Sequence, residues 1–408
     1  MKNPKPLKVA LVCDWLTGTG GAERVVLELH RMFPEAPIYT SQYDRNSKIW
    51  YGDEWFKDAD VRTGWLQKLP KSLKKFLPVL RAWYFSRLNL DGYDLVISSS
   101  GAEAKFINVG RSRHLVNSRR STVDGSKKNT GDWGLGTRDS NVKKPLHICY
   151  CHSPTHYYWA RYDEYMAKPG FGLLDPLARL GLMLLSGPMR RWDHHAAQKP
   201  DYFIANSTHT KNQIKQYYGR DAKVIFPPVD VERFISHSQP AEKRHGLVTA
   251  GRQTPYKRID LPVEAITDEA LVVIGNGPDH SKLERLAGRN VTFLTNATDH
   301  RIAEVFGGSR GFIMPNADDF GIVAAEALAA GTPVIAFRGG GALDYINRQT
   351  GVFFDKQNVS SLKKSIANFN SRKFDHAKIQ ASAQQFSAKT FRTDISRFIP
   401  KVLPRNGN

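Results

Sequence analysis

The chain has 408 residues, of which 41% are hydrophobic, and it carries 59 Lys and Arg against 39 Asp and Glu, a formal charge of +20. This length exceeds what one hydrophobic core usually organises, so it predicts two domains. The charge indicates an anionic partner or surface. No run approaches the ~20 consecutive apolar residues of a membrane-spanning helix, and residues 1–8 lead into a strand pattern rather than a signal-peptide core, so we expect a cytoplasmic protein.

The three cysteines, Cys13, Cys149 and Cys151, are too few for a disulfide framework. They lie in apolar, strand-like runs, where buried structural thiols are common. No second Cys or His pair at a defined spacing accompanies them, so we expect no metal site.

The first half of the chain alternates short apolar runs with helical patterns, which predicts strands at residues 9–13, 95–98 and 147–151 in a parallel sheet. The first strand leads into a glycine loop that contains Gly20 and Gly21, and a helix follows. Amides at the start of that helix could bind an anion. A flexible turn is the alternative, because Gly-rich turns between strands and helices are also ordinary packing devices.

His152 follows the strand at residues 147–151, and Pro154 stops that strand from continuing. A histidine at the carboxyl end of a strand is well placed for a cleft, and a hydrogen-bonded structural histidine is the alternative. We interpret His156, His194 and His195 as surface or packing residues.

A polar segment at residues 111–144 interrupts the first half. It holds nine Lys or Arg against three Asp and therefore supplies +6 of the formal charge. Such a stretch cannot bury a core, so we interpret it as a surface loop. It either binds something acidic or is a neutral insertion of the kind that loops tolerate.

Two further stretches combine apolar and basic residues. Between residues 66 and 77, lysines alternate with leucines in a pattern close to a basic amphipathic helix. Residues 173–185 are apolar and precede Arg190 and Arg191, and this stretch fits a core helix as well as a membrane-facing one. The net charge therefore suggests peripheral contact with an anionic membrane, with nucleic acid as the less favoured partner.

The second half has a more regular rhythm and predicts a doubly wound domain. Strands are expected at residues 247–250, 271–274, 291–294, 311–314 and 333–337. The polar stretch 226–243, which is interrupted by prolines, is where we expect the two domains to join.

Charged residues follow two strands of this half. Arg252 and Lys257 come after residues 247–250, and Asp318 comes after residues 311–314 with Glu326 in the next helix. Ligands of open α/β sheets bind beyond the carboxyl ends of strands. Arg and Lys can neutralise a diphosphate, and carboxylates accept hydrogen bonds from sugar hydroxyls. The pattern predicts a nucleotide-sugar site; a solvated basic turn and an acidic helix start are the alternatives.

The order of Gly251-Arg252, Lys257 and Asp318-x7-Glu326 resembles the donor-site motifs of retaining glycosyltransferases of the family-four type, glycosyl transferases group 1, and especially their mannosyltransferase-like members. Residues 150–154 and the run Gly339-Gly340-Gly341 extend this resemblance, which covers most of the chain outside 111–144. It implies the α/β GT-B architecture, in which two doubly wound, Rossmann-like domains face a central cleft.

The resemblance also implies a division of the chain. Residues 1–235 would form the acceptor-side domain, residues 236–374 the nucleotide-sugar donor domain, and residues 375–408 a helical tail that crosses back to the first domain.

By the same resemblance, Arg252 and Lys257 bind the donor diphosphate, and His152 and Asp318 contact the transferred sugar. The remaining donor-site residues would be Gly20, Gly21, Phe320, Gly321, Ile322 and Glu326. The sequence departs from the family at Asp318, where Glu is usual, and this side chain is one methylene shorter.

The function that the resemblance implies is hexose transfer with retention of configuration and without a metal or cofactor. Mannose from GDP-mannose is the preferred donor and a UDP-hexose is the alternative, with a growing glycan or a lipid-linked saccharide as the acceptor. An epimerase or phosphorylase would use the same phosphate site. A rival of another class is a catalytically impaired GT-B-like protein that binds polyanions or anionic membrane.

Overall fold

The computed structural model describes residues 7–45, 55–70, 77–109, 144–167, 169 and 172–403. Apart from Lys144, the basic segment 111–144 lies outside the described residues, as do residues 71–76 of the first basic, apolar stretch. Among the helices that the structure describes, none has the length and apolar character needed to cross a membrane.

The described residues form two parallel β-sheets. The first sheet contains β1 to β7, at Val9–Cys13, Ile38–Thr40, Val61–Thr63, Leu95–Ser100, Leu146–Cys151, Tyr202–Ala205 and Ala222–Val224. The second contains β8 to β13, at Leu247–Ala250, Leu271–Ile274, Val291–Leu294, Gly311–Met314, Val334–Phe337 and Gly351–Phe354. Their spatial orders are β3-β2-β1-β4-β5-β6-β7 and β10-β9-β8-β11-β12-β13.

Helices connect these strands. Helices α1 to α6 lie at Gly21–Met32, Pro78–Ser86, Tyr162–Ala167, Asp175–Ala196, Thr208–Tyr218 and Val231–Ile235. Helices α7 to α13 lie at Asp260–Ala265, His280–Leu286, Asp299–Gly308, Ile322–Ala329, Val359–Asn370, His376–Ala383 and Ala388–Val402. Parallel strands joined by helical crossovers confirm the predicted α/β class with two doubly wound units.

The predicted strands are all present, with small changes at their ends. Strand β4 continues to Ser100, β5 begins at Leu146, and β12 begins only at Val334 because the preceding proline has no N–H for the ladder. The sequence reading missed β2, β3, β6, β7 and β13. Three of them, β2, β3 and β7, have only three residues, which is too short for a periodic signal, so pairing with a neighbouring strand decides their conformation. The strands β6 and β13 have four residues, the same length as β8 to β12, and were not identified.

Both sheets reverse their winding direction beside their first strand. In the first unit β1 lies between β2 and β4, and in the second unit β8 lies between β9 and β11. Loops that leave neighbouring strands at such a point diverge and open a crevice at the carboxyl edge of the sheet. The fold therefore predicts one ligand crevice at β1/β4 and another at β8/β11.

The helix α6 packs with the second unit, although it precedes residue 236, where the sequence reading begins the donor domain. Val231 and Phe234 are buried in one core with Phe306 and Phe312 of the second unit. The chain therefore leaves the first unit between β7 and α6, which is within the predicted joint at 226–243.

The C-terminal segment divides at Ser387, the N-cap of α13. Before it, α12 packs into the core of the second unit through Ile379 and Ala383. After it, α13 packs onto the first unit, where Phe391 and Ile395 join the core around β1. The last helix thus ties the two units together.

The apolar stretch at 173–185 is not a core helix. It includes most of the first half of α4, and several of its large apolar side chains are exposed. In the other stretch, by contrast, Leu66 and Leu77 are buried in the core of the first unit. Of the two apolar stretches, it is therefore the one in α4 that exposes large apolar side chains to solvent.

Replacement of Ile395 by Ala should lower the free energy of unfolding by about 2–5 kcal/mol, because this side chain is buried against the first unit and its loss leaves a cavity. The exposed Lys389 on the same helix is the control, and Lys389→Ala should change stability by less than about 0.5 kcal/mol. Urea unfolding measures both. Equal effects of the two substitutions would contradict the docking of α13 on the first unit.

Candidate functional site

The centre of the candidate site is an ion pair between the loops that follow β8 and β11. Lys257 ends a short 3-10 turn, Pro255–Lys257, and its Nζ lies 2.7 Å from both carboxylate oxygens of Asp318. Burial alone lowers the pKa of the Lys257 ammonium, but the Asp318 carboxylate more than offsets this and holds the pKa above its ordinary value. The side-chain amide of Asn316 donates a further hydrogen bond of 2.7 Å to Asp318.

Glycines fix the backbone around Asp318. Gly341 N–H donates to the Asp318 carbonyl at 2.8 Å, and Gly340 has a φ of +65° with its α-carbon packed against the same carbonyl. Any Cβ at Gly340 would overlap that oxygen. The run Gly339-Gly340-Gly341 therefore permits a close backbone approach that holds Asp318 toward Lys257.

Gly321 is the N-cap of α10 and lies in the left-handed region, with a φ of +81°. The hydroxyl of Tyr345 donates to the carbonyls of Phe320 and Gly321, at 2.8 and 3.0 Å. The Phe320 ring is buried against Tyr345 and Phe386, so its side chain serves packing, while its backbone carries the turn between Asp318 and the helix. Gly321, Val323 and Ala324 at the start of α10 line the same small pocket as Lys257 and Asp318, where free helix N–H groups are available to an anion.

Asp319 joins the two units. Its carboxylate lies 3.1 Å from His156 Nε2, and its carbonyl accepts a hydrogen bond of 2.5 Å from Ser207. Burial raises the pKa of the Asp319 carboxyl, but His156 and Arg161 outweigh this and hold it below its usual value. The fold brings the loop after β5 against the loop after β11, so His156 makes a contact between the units that the sequence did not predict.

His152 directly follows β5, and its Nε2 atom forms a hydrogen bond of 2.7 Å with the hydroxyl of Ser99. Burial lowers its pKa to about 4, against a weaker opposite effect of Asp319, so the ring is neutral at pH 7. The adjacent loop after β4 is held by Asp14, whose carboxylate accepts from the N–H groups of Gly101 and Ala104 at 2.8 and 2.6 Å. His152 is thus a fixed, uncharged hydrogen-bonding group.

The glycine loop of the first unit faces α10 of the second. A Cβ on Gly21 would lie 3.2 Å from the side chain of Ile322. Gly20 N–H donates to Glu23 at 3.1 Å, which fixes the start of α1. These predicted site residues therefore come together across the cleft.

Arg24, one turn into α1, forms an ion pair of 3.0 Å with Glu326. Burial raises the pKa of the Glu326 carboxyl, and Arg24 opposes that rise. The sequence reading did not identify Arg24, although its position just after the glycine loop places it on the first turn of a helix that faces the cleft. The Arg24–Glu326 pair is a second polar contact between the units.

Arg252 is the predicted site residue that the structure places apart from the paired charges. Its side chain is exposed on the loop after β8, whereas those of Lys257 and Asp318 are largely covered. Arg161 was also missed by the sequence reading; its guanidinium lies 4.1 Å from the centre of the Tyr256 ring, across the cleft from the same loop.

Among the residues that the structure describes, no group of three or more His, Cys, Asp or Glu is arranged to hold a metal ion.

The site therefore offers a lysine, two carboxylates and helix N–H groups along one crevice. A lysine and helix amides suit phosphate oxygens, and carboxylates suit hydroxyl donors. Neutral His152 adds a hydrogen-bonding group from the opposite unit. This combination matches an anionic ligand that also carries hydroxyl groups.

Comparison with known proteins gives a family match for the second unit. Residues 230–386 match the model of the family described as "Glycosyl transferases group 1". The chain is 29% identical over 196 residues to D-inositol 3-phosphate glycosyltransferase of Rhodococcus opacus, covering 40% of this chain and 44% of that protein. It is 32% identical over 196 residues to the GDP-mannose-dependent alpha-(1-6)-phosphatidylinositol monomannoside mannosyltransferase of Mycobacterium tuberculosis, covering 40% and 50%. In these alignments the chain spans about half the length of the curated relatives that it matches.

Solved structures match over almost the whole chain. Anabaena HepE in complex with UDP and glucose has a TM-score of 0.62 at 16% identity, covering 97% of this chain and 100% of that one. The catalytic domain of starch synthase IV from Arabidopsis thaliana, bound to ADP and acarbose, has a TM-score of 0.62 at 14% identity, covering 98% and 100%. These similarities show that the two units form the predicted GT-B architecture.

Replacement of Gly340 by Ala should lower the free energy of unfolding by ~2–4 kcal/mol, because a Cβ adds overlap with the Asp318 carbonyl to the strain of a positive φ. Gly219 is the matched control: its φ is +67° and nothing lies within 4 Å of an added Cβ. Gly219→Ala should therefore cost only about 1 kcal/mol. Urea unfolding compares the two, and equal losses would contradict the close approach at Gly340.

His152 should make the protein less stable in acid. Its folded pKa of about 4 is below the unfolded value of about 6.5, so the unfolded chain binds the proton first and stability falls as the pH drops from about 6.5 toward 4. Between pH 7 and pH 5 the loss from this residue should be at most about 2 kcal/mol. Urea unfolding at both pH values should show a smaller loss in His152→Gln than in the wild type. An identical pH dependence would contradict the assignment.

Proposed function

We propose that this chain is a glycosyltransferase that moves a hexose from a nucleotide-sugar donor to a growing glycan or lipid-linked saccharide, because residues 230–386 match the glycosyl transferases group 1 family. The observation that carries the proposal is the contact of Lys257 with Asp318 at the β8/β11 crevice, opposite the glycine loop of the first unit. Charge for a diphosphate and acceptors for hydroxyl groups meet at one point there.

In this proposal Lys257 binds the donor diphosphate and Asp318 accepts a hydrogen bond from the transferred sugar. An ammonium has three N–H donors, and Lys257 directs them at both oxygens of Asp318. When phosphate oxygens take some of these donors, one Asp318 oxygen becomes available to a sugar hydroxyl. The pair therefore couples diphosphate binding to sugar recognition, and it keeps the shorter Asp318 side chain within reach of the site.

Glu326 is proposed to accept hydrogen bonds from the donor ribose, and the N–H groups at the start of α10 to face the diphosphate. Arg24 already holds the Glu326 carboxylate in the crevice at 3.0 Å. Arg252 belongs to this proposal as a second diphosphate ligand, since a long side chain on an exposed loop can turn toward the crevice.

We propose that transfer proceeds with retention of configuration and with the leaving diphosphate stabilised by protein cations rather than by a metal. Lys257 and the helix amides would stabilise the negative charge that develops on the leaving diphosphate as the glycosidic bond breaks. His152, which is neutral at pH 7, is proposed to hydrogen-bond the sugar from the first unit. We assign no protein nucleophile.

GDP-mannose is the proposed donor, and a UDP-hexose is the alternative. The relative in Mycobacterium tuberculosis whose name specifies GDP-mannose supports mannose, at 32% identity over 196 residues. The Anabaena structure with UDP and glucose supports the alternative through fold similarity alone. The proposed location is the cytoplasmic side of the membrane, where a nucleotide sugar and a lipid-linked acceptor can meet.

Lys257→Ala should weaken donor binding by ~1.5–3 kcal/mol, which is roughly 10- to 150-fold in Kd, because charge-assisted hydrogen bonds to the diphosphate are lost. Isothermal titration with GDP-mannose, UDP-glucose and ADP-glucose measures this loss and identifies the base. The control is Lys364→Ala, which removes an exposed lysine on α11 of the same unit and should leave Kd unchanged.

Product analysis completes the test. Transfer of hexose to a lipid-linked acceptor, with the anomeric configuration read by NMR, would separate a retaining transferase from an epimerase or a phosphorylase. Salt-sensitive binding of polyanions without binding of any nucleotide sugar would instead favour the catalytically impaired binding protein and overturn the proposal.

A further inference from the structure

Helix α4, Asp175–Ala196, presents an apolar face to solvent over its first half. Leu177 and Leu184 are each 65% exposed, and Met183 is 58% exposed. The other exposed apolar residues at this end are Leu174, Leu180 and Leu185. Soluble monomers seldom leave so many large apolar side chains together in water, so this face is a candidate contact surface.

The second half of α4 anchors the helix to the first unit. Asp193 is fully buried, where it pairs with Lys105 at 2.7 Å and accepts hydrogen bonds from Trp159 at 2.7 Å and Tyr218 at 2.8 Å. Met189 is buried on the same side of the helix. The apolar half is therefore held outward by a rigid base.

Arginines predominate among the charged residues of α4, which also has Asp175 at its start and the buried Asp193. Between Asp175 and Asp193 its charged residues are Arg179, Arg190 and Arg191. Arg190 is held by stacking on Tyr162 at 4.5 Å, and Arg191 is exposed. An apolar face bordered by cations complements a surface that is apolar beneath an anionic layer.

Helix α2, which lies near the anchored half of α4, carries an exposed aromatic side chain. Trp83 on α2 is 44% exposed, its ring centre lies 6.0 Å from that of Trp65, and Arg87 stacks on it at 5.3 Å. Helices α2 and α4 both pack against the short 3-10 turn Ala104–Phe106. Tryptophan is enriched at membrane interfaces, where its apolar ring and polar N–H are both accommodated.

We propose that the exposed apolar face of α4 is a membrane-binding surface that inserts into the headgroup layer of an anionic lipid bilayer. The leucines and Met183 enter the boundary of the acyl chains, while Arg179 and Arg191 lie among the lipid phosphates. A second copy of this chain is a poorer occupant, since each copy carries a formal charge of +20 and the two would repel. The proposal does not depend on the donor site.

Sedimentation with vesicles tests it. The purified chain should bind phosphatidylcholine vesicles that contain phosphatidylglycerol, and bind phosphatidylcholine alone more weakly. The variant with Leu177→Glu and Leu184→Glu should bind the anionic vesicles at least ~10-fold more weakly, because two side chains lose their apolar burial and gain repulsion. Leu286→Glu, at an exposed leucine of the second unit, is the matched control and should bind as the wild type does.

Folding and charge are checked separately. Both leucines are mostly exposed, so thermal unfolding of the double variant should match the wild type; Leu180→Glu with Leu185→Glu provides an independent second pair. Arg191→Glu should reduce binding to anionic vesicles and leave binding to phosphatidylcholine alone unchanged. Added salt should weaken the binding of the wild type to anionic vesicles.

Equal vesicle binding by the wild type and both leucine pairs would overturn the proposal. So would a dimer in sedimentation equilibrium that both leucine pairs convert to a monomer, in the absence of vesicle binding. Titration with nucleotide sugars should be unchanged in all α4 variants, so failure of this proposal and failure of the proposed function are distinguishable.

Discussion

The parallel pairing of β8 with β11 is the constraint on which the site depends. These strands are far apart in sequence, yet pairing of Leu247 with Gly311 and Val248 with Phe312 brings their carboxyl ends together. The two loops then diverge, because the sheet winds in opposite directions on either side of this pair. Lys257 and Asp318 meet in the gap and form an ion pair. Neither partly buried charge therefore carries the desolvation cost of a charge that has no partner.

Contacts between the units give this crevice its second wall. Arg24 reaches Glu326, His156 reaches Asp319, and the Thr208 N–H donates to Asp344 at 2.7 Å. Each contact joins a loop or helix start of the first unit to a side chain or loop of the second. Such polar contacts are weaker than a shared apolar core and are compatible with opening of the cleft. Helix α13 keeps the units tethered, since its apolar side lies in the core of the first unit.

Much of the fold and part of the site could be predicted from the sequence. Apolar runs identified the strands of the second sheet apart from β13, and the residue types of Lys257, Asp318 and Glu326 indicated their chemistry. The partners of these residues could not be predicted, because an ion pair such as Arg24–Glu326 joins positions about 300 residues apart in sequence through the packing of two units. The contact of His156 with Asp319 could not be predicted for the same reason.

The sequence by itself determined the α/β class, the division into two units and the chemical types at the strand ends, since these follow from local periodicity and composition. Tertiary structure alone decided which charges are paired, which residues face the cleft and which apolar helix remains in water. Hydrophobic residues 173–185 read equally well as core or surface, because their pattern specifies a helix but not its neighbours. The anchoring of α4 through buried Asp193 settled that question, and it left the leucines outside.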